Sequence, residues 1–314
     1  MATSGTYSFT VTRDEIIDAA LRLLTVIGSG QTAETEDYAN CSEALNIMLK
    51  SWVKKGFPLW VYERIAVPML SGLGVYPIGP TAGYIYRVDI TNGGTGYPNS
   101  GTVTFTGGGL GATGTYTASG GVIQSVTITN GGNSYTSAPT VTFSGGGTNA
   151  AGTAIVAGLT MSRPLRIIDG YIRNTENFDT TLFAISQQEY NILGNKSSAG
   201  VPTQYYYDTQ LINGLMYVYN VPAADGSVIY ITVQRQFQDM SEGTQNFDFP
   251  QEWFQALKWN LANELSEEYE VAENKIMRIQ ARAEMYLNDC MDFSQEEAGV
   301  FFTPDHRGTI RTQW

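Results

Sequence analysis

The chain has little of what most chemical readings would need. Its 314 residues include two cysteines, Cys41 and Cys290, and a single histidine. The cysteines fall on separate predicted helices with no Cys-x-x-Cys partner, which argues against a disulfide framework and against a thiolate zinc site. Both are expected as small core residues. No metal ligand set, cofactor motif or catalytic constellation stands out, so none of the three is expected. No apolar run is long enough to span a bilayer, and Met1 to Tyr7 is polar rather than a signal peptide. The expectation is a soluble protein made in the cytoplasm. Positive charge is scarce: 18 Lys and Arg stand against 30 Asp and Glu, a formal net charge of −12. Gripping nucleic acid through its phosphates needs clustered Lys and Arg, and the composition argues against it. An acidic wall past which DNA slides remains compatible, because like charge lowers sticking.

What the chain has in plenty is glycine, 34 residues, much of it in an internal repeat. Residues 86–120 and 124–158 superimpose without a gap at a spacing of 38. Val88 matches Val126, Ile90 matches Ile128, Asn92-Gly93-Gly94 match Asn130-Gly131-Gly132, and Tyr97 matches Tyr135. Thr102-Val103-Thr104-Phe105 match Thr140-Val141-Thr142-Phe143. One such unit rarely buries its apolar face alone, so the two copies are expected to form one module. Each alternates apolar and polar residues with period two, the mark of half-buried strands, and Asn-Gly-Gly supplies a turn that tolerates positive φ. Gly107 to Gly109 and Gly145 to Gly147 read as loops, since neither precedes a helix nor carries the Gly-Lys-Ser/Thr of a phosphate loop.

On either side of the repeat the text is different. Thr12 to Glu15 is a capping box that opens a helix with Ile16, Ala20, Leu23 and Ile27 inward, ended by Gly28-Ser29-Gly30. A second helix from about Thr35 carries Tyr38, Cys41, Leu45, Met48 and Trp52 on one seam and closes at Lys54-Lys55-Gly56. Strand patterns follow at 59–67 and 74–78, and resume after the repeat at 163–168, 182–185, 204–208, 215–219 and 228–237. Pro250 sits where N1 of a helix belongs, leading Phe254, Leu257, Leu261 and Leu265 through Tyr269. A last helix covers about 272–290 with Ile276, Ile279, Ala283, Tyr286 and Leu287 inward. Periodicity then fails, and 293–314 mixes aromatics with arginines in the manner of a docking arm. The expected fold class is α+β: a helical body of an N-terminal αα-hairpin plus two C-terminal helices, an antiparallel β domain, and a separate all-β inserted module. The domains are 1–83 with 159–292, 84–158, and the arm 293–314. The module's ends lie at neighbouring points, as expected of an insertion into a hairpin loop.

With the repeat excised, the order of Glu43-Ala44-Leu45-Asn46 through Trp52, Tyr76-Pro77-Ile78-Gly79-Pro80 into Arg163-Pro164-Leu165-Arg166-Ile167, and Pro250-Gln251-Glu252-Trp253 through Glu264 carries a resemblance. It resembles the head-to-tail adaptor proteins of short-tailed bacteriophages, which include tail accessory, DNA-stabilising factors and tail tubular A-type proteins. The resemblance implies a ring of twelve subunits under the portal that continues the DNA channel, retains packaged DNA and carries the tail nozzle or fibre proteins. It implies a place in the virion at the head-tail junction, DNA passing without sequence-specific binding, and no membrane partner. It also implies a C-terminal arm that reaches the portal, which makes Phe301, Phe302, His306, Arg307, Arg311 and Trp314 the candidate portal or subunit interface. Lys54 and Lys55 are candidate channel contacts, against the cheaper reading that they complement a helix C-terminus.

Two other functions compete. Carboxylates Glu264, Glu267, Glu268, Glu270, Glu284 and Asp289 could supply the acid and base of a virion-associated cell-wall glycosidase, though a solvated helix face explains them better. His306 beside Asp305 lacks any nucleophile motif. The tyrosines at 205–207, 217, 219 and 230, or the β repeat, could form a carbohydrate-binding surface, though half-buried strands and subunit interfaces favour tyrosine equally.

Overall fold

A computed structural model of the protein describes residues 9–52, 59–246 and 248–293. It is α+β. The described residues contain five α-helices: α1 (Arg13–Leu24), α2 (Thr35–Trp52), α3 (Gln187–Ile192), α4 (Phe254–Leu265) and α5 (Glu273–Phe293). Residues 60–236 form one compact unit, and the described residues on either side of them form the other.

The flanking unit is helical. The Thr12 hydroxyl accepts from the Glu15 N–H and the Glu15 carboxylate accepts from the Thr12 N–H, so the expected capping box is in place. α1 stops at Leu24, short of the glycines, because Thr25 takes a left-handed conformation (φ 64°) and its N–H closes onto Arg22 and Leu21 carbonyls. Its inner face is accordingly Ile16, Ile17, Ala20, Leu21 and Leu24, rather than one continuing through Leu23 to Ile27. α2 buries Cys41, Leu45, Met48, Leu49 and Trp52, close to the expected seam. Asn46 exchanges two hydrogen bonds with the Met240 backbone, at 3.0 and 3.2 Å, and fastens the returning chain to α2. Pro250 is the extended cap of a short 3-10 turn, Gln251–Trp253, which precedes α4 instead of being its first residue. α4 ends at Leu265, four residues short of Tyr269, and Asn260 bridges its own turn at Ala256 to Ala283 of α5.

The 60–236 unit is built of strands. In chain order they are β1 (Tyr62–Pro68), β2 (Val75–Gly79), β3 (Tyr84–Thr95), β4 (Ser100–Thr106), β5 (Thr113–Ser119), β6 (Val122–Asn130), β7 (Thr140–Phe143) and β8 (Thr148–Ala157). After the repeat come β9 (Leu159–Thr160), β10 (Arg166–Arg173), β11 (Asp179–Thr181), β12 (Phe183–Ala184), β13 (Ala199–Gly200), β14 (Gln204–Asp208), β15 (Gly214–Tyr219), β16 (Val221–Pro222) and β17 (Val228–Gln234). Two sheets, β1-β17-β10-β11 and β12-β14-β15-β2-β9, share one apolar core. The alternation is plain in β15 and β17, where Met216, Val218, Ile229, Ile231 and Val233 point inward and the residues between them do not. β10 starts at Arg166 rather than 163, and just before it the Leu165 N–H donates to Gln234 O of β17 at 2.9 Å.

The repeat obeys a local two-fold logic. β4 pairs antiparallel with its counterpart β7 about Thr104, which lies opposite its own equivalent Thr142, and on either side Val103 faces Phe143 while Phe105 faces Val141. Around that pair the copies exchange partners: β3 of the first pairs with β8 of the second, and β5 of the first with β6 of the second. Two small cores result, each drawn from both copies. One centres on Ile85, Val88, Tyr135 and Ala154, the other on Tyr97, Val103, Tyr116 and Ile123. The Tyr97 N–H donates to Gly121 O at 3.1 Å, and its equivalent, the Tyr135 N–H, donates to Gly83 O at 3.0 Å. Gly94 and Gly132 occupy equivalent left-handed positions (φ 65° and 68°), where a Cβ would run into backbone of the opposite hairpin. This is why one copy alone could not close its core.

The module does not sit in a hairpin loop. β2, which precedes it, and β9, which follows it, pair parallel, Ile78 beside Leu159 and Gly79 beside Thr160. Parallel neighbours need a crossover, and the repeat supplies it. Tyr84, Tyr86 and Ile155 at its base pack onto the larger core, and Arg87 pairs with Asp89 at 2.8 Å and with Asp225.

In the helical unit, Trp52 is 3% exposed, with the rings of Trp253 and Phe249 at 6.1 and 6.3 Å. Trp52→Ala is expected to cost about 3–5 kcal/mol, read as a large fall in melting temperature; an unchanged melting curve would contradict the packing described.

Candidate interaction surfaces

The residues nominated from sequence, Lys54, Lys55, Phe301, Phe302, His306, Arg307, Arg311 and Trp314, all lie outside the described residues. Two aromatic surfaces are described in the β unit. On the outer face of the five-stranded sheet, Tyr206 and Tyr217 face each other across β14 and β15 because alternation sends their neighbours Tyr205, Met216 and Val218 inward. Their rings stack with centroids 5.7 Å apart. Tyr190, delivered by α3, completes a trio at 6.0 Å from Tyr206 and 5.3 Å from Tyr217. α3 is held by its own capping box between Ser186 and Glu189, and the Lys196 ammonium lies 5.3 Å from the Tyr190 centroid. At the sheet edge Phe183 is 61% exposed. Burial first, then neighbouring rings or Asp208, raises the Tyr190 and Tyr206 hydroxyls above the ordinary phenol range, so both are neutral donors at physiological pH.

The second surface lies on the four-stranded sheet. Tyr171 and Tyr230 are register partners with stacked rings 5.2 Å apart. The Arg173 guanidinium stands 5.6 and 5.3 Å from their centroids, and Arg64 reaches Tyr171 at 5.9 Å. Asp179 accepts two bonds of 2.8 Å from Arg173, which holds that carboxyl below its usual range. Stacked rings with fixed guanidinium groups suit a flat partner surface, because aromatic and Arg contacts combine large area with little entropy to lose.

Of the tyrosines weighed from sequence, Tyr206 and Tyr217 meet, Tyr230 belongs to the other surface, and Tyr205 is buried in the core. Tyr207 donates to Pro164 O at 2.9 Å. Sequence reading missed Tyr171, Arg173, Arg64 and Tyr190. The Tyr-Ile-Arg alternation of β10 was the available signal for the first two, whereas the approach of α3 left none. The carboxylates are all exposed: Glu264 on α4, Glu284 and Asp289 on α5, and Glu267, Glu268 and Glu270 in the turn after α4. Among the described residues, no group of three His, Cys, Asp or Glu could hold a metal ion, and no helix is long and apolar enough to cross a membrane.

Cys41 is buried as expected, 3.8 Å from the Tyr269 hydroxyl, whereas Cys290 is only half-buried, with its thiol donating to Glu252 O at 3.4 Å. Burial, then nearby carboxylates for Cys290, raises both thiols above their ordinary value. Raised values mean less thiolate at neutral pH. A thiol-titration time course on native protein is therefore expected to show Cys290 reacting slowly and faster as pH rises, and Cys41 reacting only on unfolding; two fast thiols at neutral pH would refute this.

No curated protein matches the chain. The family model described as SU10 adaptor protein matches residues 121–301, more than half of the 314 residues, from the second copy of the repeat through the β sheets and past α5. Both aromatic surfaces except Arg64 fall inside the match. The chain belongs to the SU10 adaptor protein family, a family of phage structural adaptors.

Proposed function

We propose that this protein is a head-to-tail adaptor of a short-tailed phage: twelve copies form a ring that joins the portal to the tail nozzle or fibres, continues the DNA channel and retains packaged DNA. The observation that supports it most is the adaptor-family match across the β sheets and the α4–α5 pair. The order of motifs on both sides of the repeat points the same way. The stacked tyrosines and the Arg64–Arg173 surface suit ring neighbours or tail proteins, and the role needs no active site. Residues 293–314, with Phe301, Phe302, His306, Arg307, Arg311 and Trp314, are the attachment arm in this reading, because aromatic and Arg side chains dominate interface energetics. Lys54 and Lys55 face the channel. The repeat at 84–158 decorates the ring and contacts a fibre, a neighbouring protein or host glycan.

Two measurements test the scheme. Protein lacking residues 294–314 is expected to keep its folded body yet fail to co-sediment with portal rings; co-sedimentation equal to that of the intact chain would remove the arm from the mechanism. Replacing 84–158 by a short Gly/Ser linker is expected to leave a soluble, cooperatively folding protein, since the Gly83 N–H already donates to Thr160 Oγ1 at 3.2 Å and the ends need little span. Its melting temperature should fall, because the base of the module covers the larger core. An insoluble deletion protein would show the module to be integral.

A further inference from the structure

In this acidic chain the helical unit carries one groove of the opposite sign. Lys275, Arg278 and Arg282 follow one another along α5 at spacings of three and four, which places them on one side of the helix. With Leu23, Trp259 and Ile279 they line an open cleft of about 390 Å3. The Arg282 guanidinium lies 5.3 Å from the Trp259 centroid and the Lys258 ammonium 5.9 Å from it, while Tyr286 packs beside the same indole at 6.1 Å. Lys275 donates to Thr25 Oγ1 at 3.2 Å, which anchors it at the end of α1. Arg22, in the last turn of α1, acts on Lys258, whose ammonium is held below its ordinary value by burial and then by that like charge.

Among the described residues, Arg22, Lys258, Lys275, Arg278 and Arg282 form no ion pair with a carboxylate, whereas Arg13, Lys50, Arg87 and Arg173 each do. In a chain of net charge −12, carboxylates to neutralise these cations are plentiful, so the bare cluster is not a consequence of composition. It stores like-charge repulsion that a polyanion would relieve.

We propose that this groove between α1, α4 and α5 is a sequence-independent binding site for the phosphodiester backbone of DNA. The first and last of the three α5 cations are seven residue steps apart, about 10 Å of helix, a length over which the two strands of duplex DNA together present roughly six phosphates. Guanidinium forks match phosphate oxygens two at a time, and the indole holds Arg282 in place without consuming its donors. Contacts to phosphate position the backbone and carry no sequence information of their own. The site rests on the adaptor reading only for the source of the DNA, the genome passing the ring; its chemistry can be measured on the isolated protein.

The test is fluorescence anisotropy of a labelled random-sequence duplex titrated with the full chain between about 50 and 200 mM salt. Wild-type protein is expected to bind at the lower salt. Arg278→Gln with Arg282→Gln, both exposed positions, should weaken binding at least about tenfold there and make the slope of log affinity against log salt shallower by about two. Arg278→Lys with Arg282→Lys should restore most of the binding, because charge suffices for a backbone contact. Arg163→Gln with Arg166→Gln, which removes the same charge from the β unit, should change little. No binding by the wild type, an unchanged double-Gln variant, or equal loss in the Arg163/Arg166 control would overturn the assignment. Competition by polyglutamate as effective as by DNA at equal charge would also overturn it and assign the groove to an acidic protein. None of these results depends on portal attachment, so failure here leaves the adaptor reading to be judged by the sedimentation assay.

Discussion

The antiparallel pairing of β1 with β17 is the constraint from which the rest of the architecture follows. Tyr62 lies opposite Gln234, and the Arg235 N–H donates to Val61 O at 2.9 Å, so the chain enters and leaves the β unit at adjacent points. Only that closure lets α1 and α2 share one helical unit with α4 and α5, which follow about 200 residues later in the chain. Within the helical unit the two halves are held by side chains rather than by connectivity. Trp52 packs on Phe249 and Trp253, Asn46 binds the Met240 backbone, and the Tyr269 hydroxyl donates to Asp37 at 2.6 Å.

The same device recurs one level down. β2 and β9 pair side by side and the duplicated module closes the crossover between them. The module solves its own edge problem by exchange: each copy gives a strand to the other, so that neither copy's core is complete alone. Duplication here is a way to bury apolar surface that a three-stranded unit would leave exposed.

Charge is organised as distinctly as topology. The acidic excess lies outside the 60–236 unit, while several cations that pair with no carboxylate sit beside aromatic rings: Lys196 beside Tyr190 in one unit, and the Trp259 groove in the other. Binding character is thus local, and a net charge averages it away. The net charge of −12 describes the molecule as a whole, yet on one face α5 turns Lys275, Arg278 and Arg282 the same way.

The sequence by itself determined the elements whose cause is periodic and local. The capping box at Thr12, the α2 seam, the α5 face, the repeat and the α+β class were all legible, because each depends on residues a few positions apart or on a fixed 38-residue period; the turn expected at Asn92-Gly93-Gly94 is instead an irregular stretch within β3, paired with β8, where only the positive φ of Gly94 was foreseen. Element ends were less legible: α1 stops at a left-handed Thr25 and α4 at Leu265, where backbone conformation outweighs hydrophobic pattern. Only the tertiary structure decided that β2 and β9 run parallel, that Tyr190 reaches Tyr206 and Tyr217, that Tyr171 and Arg173 share a face with Tyr230, and that Lys258 and the α5 cation Arg282 meet at Trp259. These are meetings of residues far apart in the chain. Local propensity carries no term for them, and they come into being only when burial of the apolar faces fixes which strands and helices are neighbours.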